Sequence, residues 1–177
     1  MRCLLDFSQA VKLKRVLEVN AMEPAQTFWR YLMGVMTDRA AIEWCKVFGS
    51  RQDDTHWTRA TPRGQHDRIR QGLLAAIKLD EKGWANYRVS VVDYRNQIGA
   101  HHDLDANVLK YPHFGVALQA AYYLYDRLNE LLKDEERGGL PESLERWSNT
   151  VAGNMTPIVR HAFAGSAKLG SNMPGRG

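Results

Sequence analysis

The sequence predicts an all-α fold, an antiparallel up-and-down helical bundle, and three observations carry that prediction. Apolar residues recur at spacings of three and four along most of the chain, while period-two alternation is scarce. The amphipathic stretches are long and their connections short, which makes sequential helices antiparallel neighbours. The chain has 177 residues, 44% of them apolar and 25% charged, enough to bury a sizeable core in one soluble domain.

The elements follow in order. Leu4, Leu5, Val11, Leu13, Val16 and Leu17 set a first helix within the opening twenty residues. Pro24 suits the first turn of a second, in which Phe28, Tyr31, Leu32, Val35, Ile42 and Cys45 make an apolar stripe running to Phe48. Gly49 stops it as a C-terminal glycine does, and from Glu23 to Phe48 it would be about 39 Å long. Ser50 to Ala60 reads as a polar loop anchored by Trp57. Thr61 and Pro62 suit the N-cap and first position of a third helix, with Ile69, Leu73, Ala76 and Ile77 on its core face.

After a short break at Asp80 to Gly83, a fourth helix carries Trp84, Tyr87, Val91, Tyr94 and Ile98 and ends around Gly99. His101 to Pro112 is an irregular connection. The fifth helix is the cleanest, with Phe114, Ala117, Leu118, Ala121, Leu124, Tyr125, Leu128, Leu131 and Leu132 on one face, and Gly138 and Gly139 close it. Pro141 opens the last helix, through Leu144, Trp147 and Val151, and Pro157 breaks or kinks it. Residues 1–164 thus read as one helical domain and residues 165–177, rich in glycine and serine, as a disordered tail.

Cys3 and Cys45 are the only cysteines, too few for a disulfide framework or a zinc set, and this suits a reducing cytoplasm. The N-terminus lacks the apolar region and cleavage site of a signal peptide, and the apolar run Leu73 to Ile77 is far too short to span a bilayer. The net charge of +4 is mild. Arg59 to Lys82 holds six basic residues against Asp67, Asp80 and Glu81, which suits a polyanionic partner as well as a solvated surface.

The chemistry-bearing stretch is Tyr94-Arg95-Asn96-Gln97-Ile98-Gly99-Ala100-His101-His102-Asp103. An imidazole moves protons near neutral pH, and a guanidinium holds a phosphate and offsets charge built up in a transition state. On an ideal helix Arg95 and His101, six residues apart, point roughly 120° away from each other. They meet only if the helix ends between them, for which Gly99 offers a C′ position, or if two copies meet across a two-fold axis.

Arg95-Asn96 followed by His101 resembles the signature of the HEPN family, and the surrounding residues are similar to the form in AbiU-like HEPN proteins. So are Trp44-Cys45-Lys46-Val47-Phe48-Gly49-Ser50 and Thr55-His56-Trp57, and the resemblance spans roughly residues 25 to 130. It implies a helical bundle, a homodimer with facing motifs, and a cofactor-free, metal-independent endoribonuclease of prokaryotic defence or toxin–antitoxin systems. Other members are catalytically silent modules that bind RNA or protein. Carried over, Arg95 is the phosphate or transition-state contact, His101 the proton-transfer residue and Asn96 the polar orienter. RNA is then the partner, and an antitoxin protein a second one. Toxins of this family paired with nucleotidyltransferase antitoxins carry a tyrosine two residues after the histidine, where this chain has Asp103, so that regulation does not carry over.

Each feature also has a plainer reading. His101 can simply cap the helix dipole, and His102 and Asp103 can be solvated loop residues. A metal site built from these three would need further ligands. Arg95 can pair with Asp93 or Asp103. Asp38, on the second helix's stripe, sits either against an arginine such as Arg95 or at the stripe's edge. His56 and Trp57 fit a loop packing on the bundle, and His66, His113 and His161 show no partner pattern.

Overall fold

A computed structural model describes residues 1–20, 27–100 and 112–170. These residues form an all-α bundle with no strand among them: α1 (Arg2–Asn20), α2 (Thr27–Phe48), α3 (His66–Ile77), α4 (Glu81–Ala100), α5 (Gly115–Leu131) and α6 (Leu144–Gly170). Two short 3-10 turns, Arg63–Gln65 and Asp134–Arg137, complete the order.

Side-chain contacts fix the register. Asp6 reaches Arg39, and the Glu43 carboxylate lies close enough to Cys3 to help raise its thiol pKa, so α1 and α2 run antiparallel. Tyr94 bonds Asp38, Cys45 lies under Val91, and Arg88 reaches Gly49, which pairs α2 with α4 in the same sense. Tyr122 meets Ser148 and Asn129 meets Glu142, and so α5 and α6 are antiparallel too. The main core lies between these pairs. Leu4, Phe7, Trp44, Phe48, Leu73, Val91, Leu118, Leu124 and Tyr125 are buried in it. A smaller cluster of Val16, Leu17, Trp29 and Val159 ties the far ends of α1, α2 and α6 together, and Trp29 Nε1 donates to Ser166 Oγ at 3.0 Å.

Capping chemistry explains where several helices start. Asp80 Oδ1 accepts the Gly83 N–H at 2.7 Å and so caps α4. Ser143 Oγ accepts the Arg146 N–H at 3.3 Å, so the cap of α6 is Ser143, two residues after Pro141. Thr61 does not cap α3. Its hydroxyl donates to the Trp57 carbonyl at 3.0 Å, and the 3-10 turn comes before α3 begins at His66. Lys78, at φ 56°, ends α3 in the left-handed region that more often takes glycine.

Two expectations change with the packing. The stripe of α2 expected in the core is largely its outer face: Phe28 is 62% exposed and Tyr31 71%, and Val35 and Ile42 also face out. The buried face is Trp29, Thr37, Ala40, Ala41, Trp44 and Phe48, on the opposite side of the helix. Both faces are apolar, so periodicity alone could not choose between them. Pro157 does not break α6, which is helical from Leu144 through to Gly170, six residues into the stretch expected as tail. The residue is exposed, so the Gly153 carbonyl deprived of its N–H partner by the proline ring lies on a water-facing stretch of helix. No helix among the described residues is long and apolar enough to cross a membrane.

Candidate functional site

Arg95 and Asn96 ride on the last two turns of α4. Tyr94, immediately before them, is buried, and its hydroxyl donates to Asp38 Oδ1 of α2 at 2.7 Å. That bond fixes the rotation of α4 where the motif begins. Asp38 thus accepts from the tyrosine hydroxyl and forms no ion pair with Arg95 among the described residues.

Arg95 is half-buried and its charge acts on Cys45, one helix away. Its Nε is buried and has no hydrogen-bond partner among the described residues, and Arg95 forms no ion pair with Asp93. A buried N–H without an acceptor costs about 1–3 kcal/mol, a state that Arg127 Nε and Trp44 Nε1 share. Burial pushes the neighbouring Cys45 thiol up to about 11, with Arg95 opposing the rise. Cys45 is therefore a thiol at neutral pH and supplies no negative charge to neutralise Arg95.

Asn96 is exposed. α4 does not stop at Gly99 but continues to Ala100, so Gly99 does not take the C′ role expected of it. His101, His102 and Asp103 lie outside the described residues. Among the described residues no three metal-ligating side chains cluster.

Sequence reasoning missed a second constellation. The loop after α2, the start of α3 and the first half of α4 enclose two adjoining cavities of about 250 and about 340 Å³. Arg51, Trp57 and Arg70 belong to the walls of both; His56, Trp84 and Arg88 line the first, and His66 and Asp67 the second. The loop is held in place by backbone and side-chain bonds. Trp57 N–H donates to the Val47 carbonyl at 3.1 Å, the Thr55 hydroxyl to the Lys46 carbonyl at 2.7 Å, and Arg88 to the Gly49 carbonyl at 2.7 Å.

His56 is 3% exposed, and burial, with Arg51 and Arg88 beside it, pushes its pKa down to about 4. It is neutral at physiological pH. Its Nδ1 accepts the Thr58 backbone N–H at 3.3 Å and lies 2.8 Å from the Thr58 hydroxyl. A backbone N–H can only donate, so Nδ1 carries the lone pair and Nε2 carries the proton. The signal in the sequence was the pairing of Thr55-His56-Trp57 with basic residues on either side, which reads as a polar loop until the fold closes it onto α4.

No family model, curated protein or solved structure matches the chain.

Proposed function

We propose that the chain is a HEPN-like, metal-independent endoribonuclease of prokaryotic defence or a toxin–antitoxin system, acting as a homodimer. The reading rests on the resemblance of Arg95, Asn96 and His101 to that family's motif. The observation that supports it is the Arg95 guanidinium, fixed on α4, with Nε lacking a partner and no acid paired to it among the described residues. Such a group is suited to a phosphorane, whose extra negative charge it meets without first giving up an internal salt bridge.

In this mechanism His101 takes the proton of a ribose 2′-hydroxyl, and that oxygen attacks the adjacent phosphorus. The bond to the 5′-oxygen breaks, and His101 of the partner subunit protonates the leaving oxygen. A 2′,3′-cyclic phosphate and a free 5′-hydroxyl result, while Asn96 orients the phosphate. Acid–base help of this kind contributes about 10²–10⁴-fold, and DNA, without the 2′-hydroxyl, resists. Pairing of two copies draws support from the outer stripe of α2. Phe28, Tyr31, Val35 and Ile42 are exposed along the flank next to Asp38, to which the motif-bearing turn of α4 is bonded.

Purified protein incubated with RNA and EDTA tests the reading. Cleavage persists in chelator, ends in 2′,3′-cyclic phosphates, and falls at least 10²-fold in Arg95→Ala and in His101→Ala. Equal cleavage by both variants and the parent would overturn it. A helical module that binds RNA without cutting it is the second reading, favoured by the basic and aromatic cleft around Arg51 and Trp57, and it predicts binding with no turnover.

A further inference from the structure

The cavities between the 50–60 loop, α3 and α4 combine features that belong together in one kind of site. Arg51 is exposed, lines both cavities and forms no ion pair among the described residues. Arg70 also lines both and shares its charge with Glu81 across the mouth. Arg88 is held to the Gly49 carbonyl, which orients its remaining donors. Asp67 and Glu81 are the acids in the lining, so cations outnumber them. Trp57 and Trp84 are both half-buried and both in the wall. Trp84 is backed by Trp44, Phe48 and Tyr87, and Trp57 by His56 and His66, so each ring is braced from behind.

His56 adds direction. Its ring is more than nine-tenths buried, lines the cavity, and is held by Thr58 in the tautomer that leaves Nε2–H as its one donor, with no bond from that atom among the described residues. A neutral N–H donor beside two or three guanidiniums fits a phosphate oxygen. Braced indole faces at the same cavity fit a planar base, because base–aromatic stacking tolerates any base. Charged-group hydrogen bonds to arginine and histidine supply the orientation. Cavities of this size lie near the lower bound of small-ligand sites, about 300–1,000 Å³, which suits one nucleotide and not a longer segment.

We propose that this cleft is a nucleotide-binding site, taking a phosphate on Arg51, Arg70 and His56 Nε2–H and a base against Trp57 or Trp84. It is separate from the Arg95 motif: neither cavity is lined by Arg95 or Asn96. On α4, Arg88 and Arg95 stand two turns and about 10 Å apart on one face. The site stands whether or not the motif cleaves RNA.

Calorimetric titration of the full chain with 5′-AMP, adenosine and inorganic phosphate tests it. 5′-AMP binds, and adenosine and phosphate alone each bind at least tenfold more weakly. Arg51→Gln weakens 5′-AMP about tenfold with an unchanged circular dichroism spectrum and melting temperature, and Arg51→Lys recovers part of the loss. Arg95→Ala, which abolishes the proposed cleavage, leaves 5′-AMP binding within twofold, so failure of one reading is distinguishable from failure of the other. A hexanucleotide of single-stranded RNA, titrated in EDTA, identifies the source. Tighter binding than 5′-AMP assigns the site to a nucleotide within RNA, and equal or weaker binding to the free nucleotide. No heat or saturation with 5′-AMP at millimolar concentration, or unchanged affinity in Arg51→Gln, overturns the proposal.

Discussion

Burial and the neighbouring Arg51 and Arg88 charges act together on His56, and they give the chain a pH response. The folded ring has a pKa near 4 against an ordinary value of about 6.5, so the unfolded chain binds a proton that the folded one refuses between those values. Stability therefore rises with pH through that window, is full above about pH 6.5, and is lost as pH falls toward 4. Unfolding free energies from urea titration at pH 4.5 and pH 7.0 will differ by about 2 kcal/mol more in the parent than in His56→Gln, where the ring is gone. An equal difference in both proteins would show that the histidine is not the source. Glu43 is a second buried polar residue, with Arg39 at 3.0 Å and Lys46 at 2.7 Å on its own helix, so its charge is paired where it is desolvated.

At the scale of elements, the end of α2 is tightly constrained by backbone. Gly49 N–H bonds the Cys45 carbonyl at 2.8 Å, and a Cβ at Gly49 would stand 2.4 Å from that same oxygen. The obstacle is backbone, which cannot swing aside as a side-chain tip can. Gly49 also offers its own carbonyl to Arg88, so displacing it disturbs α4 and the wall of the nucleotide cleft. Gly49→Ala will lower stability by more than about 1 kcal/mol in chemical denaturation, and a stability equal to the parent's would mean that the chain relaxes there at no cost. Such positions are legible in a sequence when the residue type is singular in its role. Gly49 was readable as a helix end, as were the apolar faces of α3 and α5. Thr61-Pro62 misled because its cap signature was spent on the Trp57 carbonyl, and Pro157 misled because an exposed stretch of helix tolerates a proline that a buried one would not.

Across the whole molecule, the outer face of α2 is the exposed apolar surface on which the proposed pairing of two copies can be tested. Phe28, Tyr31, Val35 and Ile42 are exposed on the side of α2 opposite its buried face. Tyr31→Glu places a charge in the centre of that face, and sedimentation will show it shifted toward monomer relative to the parent. On the proposed dimeric mechanism, cleavage falls in the same variant. Parent protein sedimenting as a monomer at micromolar concentration would remove the two-fold arrangement and with it the second acid.

The sequence by itself determined that the chain is helical, where most helices lie, and that Arg95 stands near the end of one of them, because 3.6-residue periodicity and glycine placement are local properties of the chain. Which of α2's two apolar faces is buried was decided only by tertiary structure, since burial depends on the neighbours α1 and α4 and not on the helix's own pattern. The same holds for the cleft: His56, Arg51, Arg70 and Arg88 come from three separate stretches, and only the packing of the loop and α3 against α4 brings an imidazole, guanidiniums and indole rings to one cavity.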